Sequence, residues 1–200
     1  TTLIEPSLMG FHKRHPYVTL NIMEAINFVA ENSLEDNSID LTIYNVHKFP
    51  ENMDYQILRK EEIVLVLNKN HPLCKKAQTK EGFLHPWLDL KMLEKENFIL
   101  LYPDQNTGGI AQSLFKEYSM EPTVLLHTRN SAMSIRLAIQ GLGAAFAPES
   151  YFREESRFFP EGCCFSIGAK PVLTTSIAAY QKKKYLSQHA RDYMEILKNY

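Results

Sequence analysis

Cysteine is scarce in this chain of 200 residues. Three cysteines, Cys74, Cys163 and Cys164, are too few and odd in number for the disulfide framework of a small secreted domain. An excess of charge of one sign is also lacking: 22 basic residues face 23 acidic ones, for a formal net charge of -1. That balance argues against this segment gripping nucleic acid by itself, because duplex binding wants a strongly basic face. No apolar run reaches the roughly 18 residues of a membrane span, and the N-terminus lacks the charged-then-apolar plan of a signal peptide. A cytoplasmic setting is expected. The chain opens without a methionine, as a segment of a longer protein would.

What is present is ordinary globular material. Hydrophobic residues make up 44% and charged residues 22%, which excludes a disordered or fibrous chain. A chain of this size buries roughly 70% of its unfolded surface, so its core needs no covalent staples. Short apolar strands alternate with amphipathic helices, the pattern of an α/β protein. Strands are expected at Val18–Met23, Ile39–Tyr44, Tyr55–Leu58, Ile63–Leu67, Phe98–Leu101, Thr123–Thr128, Ala144–Ala147, Cys164–Ile167 and Ser176–Tyr180. Helical spacing occupies Leu3–His12, Ile26–Glu35, Thr107–Tyr118, Ser131–Gln140 and Ser187–Leu197.

Pro16 and Pro122 each stand between a helix and a following strand, where a ring without an N–H stops a helix at little cost. They also mark an internal repeat. Ser7-Leu8, Pro16, Val18 and Leu20 recur as Ser113-Leu114, Pro122, Val124 and Leu126 at a constant offset of 106 residues. Both copies read helix, proline, strand, helix, strand, ending in Ile39–Ile43 and Gly141–Phe146. Two copies of one α/β unit suggest two similar lobes of mixed, mostly parallel sheet flanked by helices; a solenoid would need at least three copies. Residues 1–70 with 174–200 form the expected first lobe and 71–173 the second, joined by two crossover segments. A small ligand is at home in a cleft between two lobes.

No enzyme signature is found: no Gly-x-Ser-x-Gly, no Gly-x4-Gly-Lys, no His-Glu-x-x-His and no Cys-x-x-Cys. No catalytic residue, cofactor or metal ligand is therefore assigned. Gly141-Leu142-Gly143 follows a helix and enters a strand, the reverse of a dinucleotide fingerprint, and reads as a helix end with a tight turn. His12 and His15 suit the last turn of a helix without any metal. Adjacent Cys163 and Cys164 point to opposite faces if they lie in a strand. Lys182–Lys184 reads as a solvated turn.

Helix starts carry more information. Ligands of parallel sheets sit beyond the strand C-termini, where helix N-termini offer free N–H groups to carboxylates, phosphates or sulfates. Three starts are rich in small polar residues: Thr1-Thr2, Asn106–Gly109 and Thr128–Ser131. Ordinary N-capping would select the same residues, so both readings stand at this point. Glu24 and Tyr44-Asn45 end strands of the first lobe and are open to the same two readings.

Several short segments, in this order and spacing, resemble the effector-binding domain of LysR-type transcriptional regulators. They are Phe11-x-x-x-His15-Pro16-x-Val18-x-Leu20-x-Ile22, Ile39–Ile43, Ile63–Leu67 with His71-Pro72-Leu73, Leu88-Asp89-Leu90 before Phe98–Leu101, and Leu137–Ala145 with Pro148. The resemblance implies a fold like the type 2 periplasmic-binding proteins, with a small, polar or anionic effector in the cleft. It carries the effector-binding role onto Thr2, Glu24, Asn106, Thr107, Thr128 and Asn130. It further implies a homodimer, a tetramer in the full-length protein, with Leu3–Ile22 of one copy against Ala111–Thr128 of the other. Promoter DNA would be bound only through an N-terminal winged helix-turn-helix, absent from this chain. A solute-binding receptor of a transport system with the same fold is the alternative.

Overall fold

A computed structural model describes residues 3–25, 27–182 and 185–199. Thr1, Thr2, Ile26, Lys183 and Lys184, named above, lie outside the described residues. The chain forms two compact units, Thr1–Lys60 with Thr175–Tyr200, and Glu61–Thr174.

The first unit holds α1 (Ile4–Arg14), α2 (Asn27–Glu35), β1 (Thr42–Val46), the first half of β2 (Met53–Asn68), most of β7 (Leu173–Gln181) and α6 (Gln188–Leu197). β1 runs antiparallel to β7, with Thr42 opposite Ala179 and Val46 opposite Thr175. Leu34 of α2 packs on Val46, Ile177 and Ala179. α1 packs on α6 through Phe11, whose ring meets Tyr193 edge-on at 5.3 Å, and through His15, whose Nε2 lies 3.0 Å from Asp192. His15 thus has a structural partner at the end of its helix.

Val18–Met23, expected as a strand, is instead coil, exposed from Thr19 onward. Leu20, Ile22 and Met23 are all exposed, and no strand pairs with the segment among the described residues. A strand is held by its ladder to a neighbour, so apolar spacing alone leaves it unformed. The helix–proline–strand order of the repeat is therefore complete only in the second copy.

In the second unit the remaining half of β2 is followed by two short 3-10 helices, Pro72–Lys76 and Leu90–Leu93. β3 (Asn97–Leu101), α3 (Asn106–Glu117), β4 (Thr123–Thr128), α4 (Ser131–Ile139), β5 (Ala145–Pro148), α5 (Glu149–Ser156) and β6 (Gly162–Phe165) complete it. β2 lies between β5 and β6 and is antiparallel to both, Leu65 facing Phe146 on one side and Phe165 on the other. A bridge between Phe98 and Ala144 joins β5 in parallel to β3, and β3 is parallel to β4. Strand order is thus mixed: β5, β3 and β4 run parallel, and a further parallel bridge joins Trp87 to Ser166 just past β6.

Alternation along β2 explains the layers. Ile63, Leu65 and Leu67 face Ile110, Leu114 and Phe115 of α3, whereas Val64 and Val66 face Ile135 and Ile139 of α4. Every residue from Ile63 to Leu67 is at most 1% exposed. A strand covered on both faces reads as an unbroken apolar run, which is why its sequence shows no polar alternation.

Two expected strands, Tyr55–Leu58 and Ile63–Leu67, are one continuous strand. The intervening Lys60-Glu61-Glu62, charged throughout, stays extended, with both glutamates buried. Glu61 Oε2 accepts the Ser150 N–H at 2.8 Å and so caps α5 from the neighbouring strand, where a negative charge also meets the positive end of the helix. Arg136 of α4 clamps Glu155 of α5 through Nε and Nη2, at 2.6 and 3.2 Å. Gly141 takes a positive φ of 88° just past α4, and the N–H of Leu142 returns to the Leu137 carbonyl, so this stretch is the helix end the sequence suggested.

Glu62 is 5% exposed, and burial pushes its carboxyl pKa up against the opposing help of Ser166, His85 and the Leu84 backbone. A carboxyl raised in the folded state keeps its proton where the unfolded chain has already lost it. Stability therefore falls as pH climbs from the ordinary glutamate value through the folded one. Urea midpoints between about pH 4 and pH 8 are expected to decline in the native chain and to decline clearly less in Glu62→Gln, whose neutral amide has no proton to lose.

Candidate functional site

In the second unit, β3 and β4 end side by side, with Leu101 opposite Thr128. Each strand turns directly into a helix, so α3 and α4 begin at the same edge of the sheet. The two starts are not equivalent.

At α4, Asn130 is the N-cap and its Oδ1 accepts the Met133 N–H at 2.9 Å. Thr128 Oγ1 accepts the N–H of Asn130 at 3.1 Å. The polar residues here satisfy their own helix, the reading that ordinary capping favours. Thr128 is half-buried and Asn130 exposed.

At α3, the N-cap is Gln105, and its side chain makes no capping hydrogen bond. Its Nε2 instead reaches across to the Arg129 carbonyl at 3.1 Å, and its Oε1 is buried without a hydrogen-bond partner. Thr107 is buried. Asn106 donates from Nδ2 to Thr174 Oγ1 at 2.7 Å, tying the helix start to the head of β7. Gly108 is required by contact: a Cβ there would lie 2.1 Å from the Tyr102 carbonyl oxygen and 2.6 Å from that of Leu101. Only a residue without a side chain lets α3 begin this close to the end of β3.

Charge in the two loops is internally balanced. Arg129 Nη1 sits 2.8 Å from Asp104 Oδ2, and the guanidinium lies over the Tyr102 ring at 4.7 Å. Tyr102 in turn leans on His127, with ring centroids 5.5 Å apart. Such an arrangement offers hydroxyls, amides and a helix dipole rather than a nucleophile and base. It suits reversible binding of a small polar group. Among the described residues, no group of three His, Cys, Asp or Glu side chains is arranged to hold a metal.

Four of the six residues expected at the site, Asn106, Thr107, Thr128 and Asn130, are thus gathered at this edge. Glu24 belongs to the first unit and is exposed. Thr2 lies outside the described residues. Sequence reasoning missed Gln105, Asp104 and Tyr102. Gln105 adjoins the polar run at 106–109 yet carried no signal of its own, and the Asp104–Arg129 pair spans 25 residues that only the fold brings together. A groove of about 430 Å3 also opens in this unit, lined by Leu101, Phe115, Met120, Val124 and His127 between α3 and β4. Among the described residues, no helix is long and apolar enough to cross a membrane.

Replacing Asn130 by Ala is expected to cost about 1 kcal/mol in urea unfolding, and by Asp almost nothing, since the carboxylate caps equally well. An Asn130→Ala chain as stable as the native one would show that the cap carries no weight.

The model of the LysR substrate binding domain matches residues 1–200. The HTH-type transcriptional regulator CfxR of Cupriavidus necator is 30% identical over 139 residues, 68% of this chain and 40% of that protein. The chain spans less than half the length of the curated relatives it matches. Among solved structures, the regulatory domain of Synechocystis PCC6803 CcmR, in complex with 2-PG, agrees with a TM-score of 0.81 at 20% identity, over 98% of this chain and 89% of that one. The effector binding domain of QuiR, in complex with shikimate, agrees at 0.76 and 18% identity, over 98% and 89%.

Proposed function

This chain belongs to the LysR substrate-binding domain family, and on that premise we propose that it senses a small polar or anionic metabolite and conveys its presence to a transcription regulator. The matching family, and relatives that are regulators, support this reading over a transport receptor. The observation that carries the ligand class is the open start of α3: uncapped amides, a buried unpartnered Gln105 oxygen and the Thr107 and Thr128 side chains, all at the end of two parallel strands. Asn106 and Asn130 hold the two helix starts in place. Glu24 and Thr2 are assigned as contributions of the first unit, which we read as the first lobe, with the second unit as the other.

Two strands, β2 and β7, pass from one unit to the other. Two crossings of this kind permit hinge motion. An effector touching both lobes favours one arrangement of them by its differential affinity; equal affinity for both would shift nothing. In the whole regulator that bias alters the spacing of DNA-binding domains carried outside this segment, and hence transcription. A homodimer fits this scheme, tetrameric in the full-length protein. The apolar groove between α3 and β4, with Leu125 exposed beside it, is suited to receive Leu3–Ile22 of a second copy.

A thermal-shift screen of small carboxylates and phosphate esters tests the reading. A ligand at 100 times its Kd stabilises by about 2.7 kcal/mol, roughly 6 °C for a chain of this length. Thr107→Val with Thr128→Val is expected to abolish the shift while leaving the ligand-free melting temperature within about 2 °C. An undiminished shift in that double variant contradicts the site.

A further inference from the structure

The adjacent cysteines of β6 do not form a pair, because the strand sends them to opposite faces of the sheet. Cys163 joins the core layer on the α3 side and Cys164 the layer on the α4 side, where its Sγ lies 3.6 Å from His85 Nδ1. Cys163 instead meets a cysteine 89 residues away. Its Sγ is 3.3 Å from the Sγ of Cys74, which stands on the 3-10 helix Pro72–Lys76. Each thiol also has a backbone carbonyl of β2 within reach, Cys74 that of Asn68 at 3.3 Å and Cys163 that of Leu67 at 3.4 Å. The two sulfurs are therefore held side by side against the Leu67-Asn68 end of β2.

We propose that Cys74 and Cys163 form a thiol–disulfide modification site that a hydroperoxide oxidises and a dithiol reduces. A disulfide needs its sulfurs about 2.05 Å apart, so they must close by roughly 1.3 Å, within the reach of side-chain rotation at the short exposed helix. The Cys74 sulfur attacks the terminal peroxide oxygen; the O–O bond breaks, the alcohol leaves with the thiol proton, and Cys74 becomes a sulfenic acid. The Cys163 sulfur then attacks the Cys74 sulfur; the S–S bond forms, the S–O bond breaks, and hydroxide leaves as water with the Cys163 proton. Two thiols and one hydroperoxide give one disulfide, one alcohol and one water.

The roles follow from position. Cys74 is half-buried between exposed Lys75 and half-buried Leu73 on a short surface helix, the more peripheral of the two elements. Cys163, also half-buried, is fixed in β6 opposite Leu67, and burial together with the neighbouring Cys74 pushes its thiol well above the usual range, so it waits for a sulfenic acid rather than attacking first. Cys164 is not equivalent. Burial, with Glu149 and Glu62 nearby, pushes its thiol up to about 12, and its sulfur has no cysteine partner on its own face.

The test is to treat the reduced chain with hydrogen peroxide, then read its intact mass and map peptides without reductant. The expected result is a loss of two hydrogen masses, a Cys74–Cys163 cross-link reversed by dithiothreitol, and a melting temperature raised by roughly 10 °C. Cys164→Ser keeps all three, and Cys74→Ser loses them. Oxygen added to separate cysteines, a cross-link through Cys164, or dimers joined by disulfide would each overturn the proposal. No ligand enters the experiment, so its outcome is independent of the effector reading.

Discussion

The burial of Ile63–Leu67 on both faces is the constraint on which the second unit depends. A strand with no exposed side must be covered twice, and the two covers are α3 on one face and α4 with α5 on the other. Here both covering helices, α3 and α4, follow strands that run the same way beside one another. These are β3 and β4, and their common C-terminal edge is where both helices start. The candidate site is thus a geometric consequence of how the core is closed. Its polar residues are placed by packing before any ligand is considered.

Within that edge, one close contact decides which helix start is available. Gly108 seats α3 directly on the Leu101 and Tyr102 carbonyls, while the Gln105 side chain is drawn away to Arg129. At α4 the Asn130 side chain fills the equivalent place. Two helix starts of similar composition therefore differ: α4 is capped by its own Asn130 side chain and α3 has no side-chain cap. Electrostatics sharpen the contrast, since Arg129 is matched by Asp104 and does not itself provide a spare cation.

Features set by local pattern were legible in the sequence. The strand Thr123–Thr128 has the expected ends because its side chains alternate between exposed and half-buried. The Asn130 cap and the Gly141 helix end follow rules that act over a few residues. Features set by distant partners were not legible. α5 is poor in apolar residues and is capped by Glu61, 89 residues earlier. That Tyr55–Leu58 and Ile63–Leu67 join through Lys60-Glu61-Glu62 rests on contacts that lie elsewhere in the chain. Val18–Met23 failed in the opposite sense, with suitable spacing and, among the described residues, no strand paired to it. At the site, Asn106, Thr107 and Thr128 stood out by type, whereas the orphaned Gln105 oxygen and the Asp104–Arg129–Tyr102 stack are products of the fold.

The central claim is that the open start of α3 receives the ligand. Backbone amide NMR during titration with a small carboxylate or phosphate ester tests it most directly. The account predicts the largest shifts at the amides of Thr107, Gly108 and Gly109, with smaller ones at Thr128 and Arg129 and little change along Met133–Ile139. Shifts centred on Phe115, Met120 and Val124, or no perturbation at Gly108 at saturating ligand, would contradict it.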